Sequence, residues 1–165
     1  VLLEGIDIFK NHLVVTERKE GLINLRVMPW ANSKEHYIEF NDPAYTVYPT
    51  GNPEFDTETL RFSYTSLTTP GTTYDYDMVS KEKIILKQQE VLGGEFSSEN
   101  YVSERLMIPA RDGKMVPISI VYKKGFEKNG KAPLLLYAYG SYGATMDPYF
   151  SSVRLSLLDR GVAFA

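Results

Sequence analysis

The chain has no cysteine, one tryptophan and two histidines among its 165 residues. Without thiols it can carry no disulfide framework, no thiolate metal site and no cysteine nucleophile. His12 and His36 lie apart in strand-like segments. Neither has a second His or a carboxylate at a spacing that converges on one ion, so no metal site is expected and both read as ordinary surface or rim residues. No sign of charge dominates, since 18 basic residues face 21 acidic ones for a net charge of −3. A basic cluster is also missing, which argues against nucleic acid, because phosphate binding needs concentrated Lys and Arg. No apolar run approaches the roughly 18 residues that span a bilayer, and the longest, Pro133–Ala138, has the length of a buried strand. Neither G-x-G-x-x-G nor G-x-x-x-x-G-K with a following Ser or Thr occurs, so no phosphate-cradling loop and no cofactor is expected. There is no secretory signal, although the chain opens on Val1 rather than Met and a true N-terminus can lie upstream. A soluble, cytoplasmic chain is the expectation.

What is present suits strands. Hydrophobic residues make up 43% of the chain, enough for a sizeable core, and 12 tyrosines with 8 phenylalanines favour sheet over a helical bundle. His12–Glu17 and Leu22–Pro29 flank Arg18-Lys19-Glu20-Gly21, read as a hairpin loop whose Gly takes positive φ. Glu35–Phe40 and Ala44–Tyr48 are shorter apolar-aromatic pieces between turn residues. The clearest hairpin follows. Leu60, Phe62, Tyr64 and Ser66 alternate with polar residues, stop at Thr69-Pro70-Gly71-Thr72, and return as Tyr74, Tyr76 and Met78. Ile84–Lys87 is one more strand, and meandering strands with no helix between them suggest a sandwich or propeller blades.

The pattern changes after Gly93-Gly94. Ser103–Ala110 and Met115–Lys123 predict a hairpin around Arg111-Asp112-Gly113-Lys114, and the continuous run Pro133–Tyr139 predicts a strand buried on both faces. Asp147 is the expected N-cap of a helix with Pro148 at its first position, Phe150, Val153, Leu157 and Leu158 on one face, and Gly161 at its end. Val162–Ala165 then begins a strand, so strand, helix and strand make a βαβ unit. An all-β part followed by the opening of an α/β part, stopping mid-fold, reads as a fragment.

Hydrolytic chemistry is the next absence. A serine nucleophile on a strand-to-helix elbow needs G-x-S-x-G, and Tyr139-Gly140-Ser141-Tyr142-Gly143 has Tyr139 where the first Gly belongs. No His lies beyond His36 to complete a triad. The chain alone is expected to be inactive. Carboxylates at Glu54, Asp56 and Glu58 and at Asp75 and Asp77 are two apart on strand-like segments. They could raise one another's pKa, or be a solvated face.

Tyr64-Thr65-Ser66-Leu67-Thr68-Thr69-Pro70-Gly71 resembles the prolyl oligopeptidase family of serine peptidases. Ser103–Leu106, Ala110–Gly113, Val116–Ser119, Leu136–Gly143 and Arg154–Gly161 follow in the same order and resemble its oligopeptidase B branch, which cuts after Lys and Arg. The resemblance implies the last blades of a seven-bladed β-propeller over residues 1–92. Residues 93–165 are then the opening strands and first βαβ unit of an α/β-hydrolase domain. It implies short peptides as substrates of the parent enzyme. It also implies that Tyr139 is the tyrosine whose hydroxyl helps form the oxyanion hole, with Tyr137 deeper on the same face and Tyr142 as the other nearby phenol. The nucleophile, the catalytic Asp and His and the acidic residues for a Lys or Arg side chain are implied to lie beyond Ala165. A non-catalytic, propeller-containing binding protein with a degenerate hydrolase part is the alternative, distinguished by what stands at the elbow downstream. Exposed blade faces and the unpaired edge at Val162–Ala165 predict self-association of the isolated chain.

Overall fold

In the computed structural model, which describes residues 1–165, the first sheet is a meander of β1 (Leu2–Ile8), β2 (His12–Lys19), β3 (Leu22–Pro29) and β4 (His36–Tyr37). Glu20 and Gly21 have φ of 51° and 79°, and Lys19 pairs with Leu22. The turn between β2 and β3 is therefore two residues long, tighter than the expected four, with the doubly left-handed backbone that matches strand twist. β1 carries no clear alternation of burial, since Leu2, Leu3, Ile6 and Ile8 are all exposed. Pairing with β2 is what makes it a strand.

The second sheet joins β5 (Tyr45–Pro49), β6 (Thr59–Ser66), β7 (Thr72–Asp77) and β8 (Lys83–Gln88) in that order. Leu60, Phe62, Tyr64 and Ser66 on β6 point inward as their period of two requires, and Tyr76 and Met78 are buried on the returning arm. The two sheets share one core, in which Val14, Leu25 and Val27 meet Val47, Leu60 and Phe62. The Phe62 ring stacks on Tyr74 at 5.3 Å and meets Phe40 edge-on at 5.8 Å.

The third sheet has the order β11-β12-β10-β9, from β9 (Tyr101–Pro109), β10 (Met115–Lys123), β11 (Leu134–Leu135) and β12 (Ala163–Phe164). The single helix α1 (Ser152–Leu158) connects β11 to β12, and those strands pair in parallel, so the strand–helix–strand unit forms. Leu67 packs with Val121 and Leu158 in a small second core that ties this part to the second sheet. No helix is long and apolar enough to cross a membrane.

Several expectations are corrected. Asp147 does not cap the helix. α1 starts at Ser152, and the Ser151 hydroxyl accepts from the Arg154 amide at 3.4 Å, because the Asp147 carboxylate is engaged by Arg18. The later start shifts the buried face to Arg154 and Leu158 and leaves Val153 exposed. Gly161 does end the helix region, with φ of 80°. The run Pro133–Tyr139 is not buried on both faces. Leu134, Leu136, Tyr137 and Tyr139 are all exposed, since no other element of the chain covers them. His12 is not a rim residue either, being buried with Nδ1 3.0 Å from Glu58, while His36 is half-buried with Nε2 2.8 Å from the Tyr76 hydroxyl.

Asp75 and Asp77 move opposite to mutual repulsion. Hydrogen bonds from Arg61 hold Asp75 below the usual carboxylate range, and the Ser80 and Val79 amides do the same for Asp77. Lys128 and Tyr122 depress Glu104, and Lys123 and Tyr101 depress Asp159. A carboxylate whose folded pKa lies below its unfolded value adds stability above the unfolded value, and that stability is lost as pH falls through the folded pKa. Only Asp7, raised by burial, works the other way. Burial also holds the half-buried His36 below its ordinary value, which costs stability once the unfolded chain begins to protonate it. The urea midpoint should therefore ease down below about pH 6.5 and fall further below about pH 4. Equal midpoints at about pH 7 and about pH 3 contradict this account.

Candidate active-site groove

A groove of about 480 Å³ opens between three walls. Val116, Pro117 and Ser119 of β10 with Arg105 of β9 form one, Leu136–Tyr139 the second, and residues 144–149 the third. The ladder bonds of the second wall stop at Tyr137, whose amide donates to the Ala165 carbonyl at 2.8 Å. Tyr139 follows two residues later, 51% exposed and lining the groove, with Tyr137 beside it at 56%. Tyr137 is thus no deeper than Tyr139, because neither face of the run is covered. Tyr142 stands out from the fold at 99% exposure. Its φ of 58° and ψ of 29° put a bulky side chain on a left-handed backbone, in the short 3-10 turn Ser141–Gly143, a conformation that stores strain.

Two guanidiniums face the groove without a carboxylate partner. Arg105 donates to Ser119 Oγ at 3.2 Å and to the Glu20 carbonyl at 2.5 Å. Arg154 donates to the Tyr149 carbonyl at 2.7 Å and lies 4.0 Å over the Phe164 ring. Burial holds both below the usual arginine pKa. Asp147 is the acidic counterweight. Arg18 grips it through both terminal nitrogens at 2.5 and 3.1 Å, and the Tyr48 hydroxyl donates to it at 2.9 Å. The hydrogen bond to Asp147 raises Arg18 above its ordinary value, and burial with that same carboxylate pushes Tyr48 up to about 12.

Such a groove can donate hydrogen bonds to an oxyanion and hold an extended chain. It lacks an imidazole, for both histidines belong to the first sheet. No group of three or more His, Asp or Glu is placed to hold a metal ion. The sequence named Tyr139, which lines this groove, but gave no sign of the cluster of Arg18, Asp147, Tyr48 and Arg105. Arg18 and Asp147 are 129 positions apart, and no local pattern signals a pair at that distance.

Stacked four-stranded antiparallel meanders that share a core are the build of a β-propeller. Residues 1–89 match the family described as prolyl oligopeptidase, N-terminal beta-propeller domain. The chain belongs to the prolyl oligopeptidase family. Dipeptidyl aminopeptidase BI of Pseudoxanthomonas mexicana is 48% identical to it over 166 residues, taking in 100% of this chain and 22% of the relative. Protease 2 of Moraxella lacunata is 36% identical over 156 residues, 94% of this chain and 22% of the relative. Oligopeptidase B from Trypanosoma brucei, with covalently bound antipain in the closed form, superposes with a TM-score of 0.88 at 32% identity, over 98% of this chain and 24% of that one. The chain spans about a quarter or less of the length of these relatives.

Proposed function

We propose that the chain is part of a serine oligopeptidase that hydrolyses short peptides on the carboxyl side of Lys or Arg. Residues 1–92 contribute blades of a seven-bladed propeller, and residues 93–165 open an α/β-hydrolase domain. The observation that carries this reading is the likeness to oligopeptidase B over 98% of the chain. The parallel pairing of β11 and β12 across α1 supports the hydrolase part. In this reading Tyr139 donates its hydroxyl to the alkoxide that develops when a peptide carbonyl is attacked. The nucleophile and its base come from elsewhere in the protein, since the chain has neither a G-x-S-x-G elbow nor a third histidine. A second reading, a dipeptidyl aminopeptidase, is favoured by the relative of that name at 48% identity.

The test uses the full-length protein containing this chain, at neutral pH. It should cleave an N-blocked fluorogenic Arg substrate, and a serine-directed inhibitor should abolish the turnover. Cleavage confined to dipeptidyl substrates with a free amine favours the second reading. No turnover of either kind overturns both and leaves a binding protein. The isolated 165-residue chain should be inactive in the same assay. β12 lies between β11 and β10, so Val162–Ala165 is not an unpaired edge, and the free edges of that sheet are β11 and β9. Sedimented at tens of micromolar, roughly where exposed edges associate, the isolated chain should run larger than a monomer.

A further inference from the structure

Residues 144–149 line one wall of the groove, yet residues 145–150 take part in no backbone–backbone hydrogen bond. A segment outside any ladder or helix keeps its place through side-chain bonds. Apart from Arg154, the partners here come from the first two sheets. Thr46 Oγ1 donates to the Pro148 carbonyl at 2.6 Å, and Thr65 Oγ1 accepts from the Phe150 amide at 3.0 Å. Tyr48 and Arg18 converge on Asp147. Arg18 is a shielded anchor, with its side chain 10% exposed, and its Nε donates to Glu4 at 2.5 Å. Both terminal nitrogens are thereby free to take Asp147 in a fork, the geometry in which Arg–carboxylate pairs are strongest.

The opposite wall is tied to the same place. Arg105, on β9, donates to the carbonyl of Glu20, and Arg18 itself donates to the carbonyl of Gly21 at 3.1 Å. The β2–β3 turn is therefore bonded directly to the Arg105 wall and, through Arg18, to Asp147 in the other. It also has little room to spare. A Cβ at Gly21 would come within 2.9 Å of Arg105 Nη2 and 3.3 Å of Pro117 Cγ, on a backbone with φ of 79°.

We propose that the Glu20-Gly21 turn with Arg18 at the end of β2 is a spacer that sets the width of the groove, with Arg18 and Asp147 as positioning residues that fix its 144–149 wall. This rests on the peptidase reading, and it assigns to the propeller side a direct part in how firmly a peptide is held opposite Tyr139. Loss of the Arg18 charge leaves Asp147 and Glu4 as neighbouring carboxylates without a shared cation, and the wall loses its main anchor.

The experiment compares Arg18→Gln, Arg18→Lys, Asp147→Asn and the Arg18→Gln/Asp147→Asn double variant in the full-length protein. Arg61→Gln serves as the control, because it removes an Arg–Asp pair of the same kind within the second sheet. The Phe150 amide, which donates to Thr65 Oγ1 at 3.0 Å, should exchange faster in the four test variants and not in the control. kcat/KM should fall roughly 10–100-fold, the usual scale for a misplaced binding wall, chiefly through KM. The double variant should be no worse than either single charge loss. Arg18→Lys keeps the charge but not the fork, so it should fold normally and show an intermediate rise in KM. Faster exchange at Phe150 in a protein that cleaves nothing even as wild type leaves the spacer standing and removes the peptidase reading. Unchanged exchange and unchanged KM in Asp147→Asn, or wild-type behaviour in Arg18→Lys, overturns the proposal.

Discussion

Replacing Tyr139 by Phe in the full-length protein should lower kcat by roughly two to three orders of magnitude, with KM nearly unchanged. The substitution keeps the ring and removes only the hydroxyl. Tyr139 is half exposed, so loss of its hydroxyl should hardly move stability. A donor aimed at a developing alkoxide bonds the transition state more strongly than the ground-state carbonyl. Its loss therefore appears in the chemical step, at about 2–4 kcal/mol for one oxyanion-hole donor. Tyr137→Phe is the matched control, since that phenol lines the same groove at similar exposure. Full kcat in the Tyr139 variant with loss in the Tyr137 variant shifts the role by two residues. Full kcat in both removes the oxyanion role from this run altogether.

The largest effect on stability should come from Phe62→Ala. Phe62 is fully buried where the first two sheets meet, between Tyr74 and Phe40. Truncation removes its transfer free energy and leaves a cavity that two hydrogen-bonded sheets cannot close, for a loss of about 3–5 kcal/mol. That is roughly a fifth or more of the stability of an ordinary domain, about 5–15 kcal/mol. Phe62→Leu should restore a large part by refilling the volume. Val153→Ala, on the exposed side of α1, should stay within about 0.5 kcal/mol. Urea unfolding of the three variants reads the difference. A Phe62→Ala midpoint close to that of Val153→Ala would mean that the two sheets do not share the core described here.

Much of the fold was legible because the signals were local. The alternation on β6 and β7, the turn residues at Glu20-Gly21 and Asp112-Gly113, and Gly161 at the helix end each act within a few positions. Their readings stand within a residue or two of the observed elements. The parallel pair at β11 and β12 was legible for the same reason, as an apolar run, a helical stretch and a second short run in succession. β1 was not, because its apolar side chains face outward and only the β2 ladder defines it.

The sequence by itself determined the family, through blocks such as Leu136–Gly143 and Arg154–Gly161, and with it the choice of Tyr139 as the candidate donor. It also determined most strand positions, because a side-chain period of two is written residue by residue. The tertiary structure decided the fate of the charges. Asp147 has the chemistry of a helix cap and sits before a proline, yet a guanidinium 129 positions away claims it. A charge-assisted fork in a shielded place outweighs one cap hydrogen bond, and Ser151 was available to cap instead. His12 likewise looks like a rim residue until the β2 register and Glu58 enclose it. Pairings of this kind depend on which strands the fold stacks together, and that arrangement is a property of the whole packed chain rather than of any short segment of it.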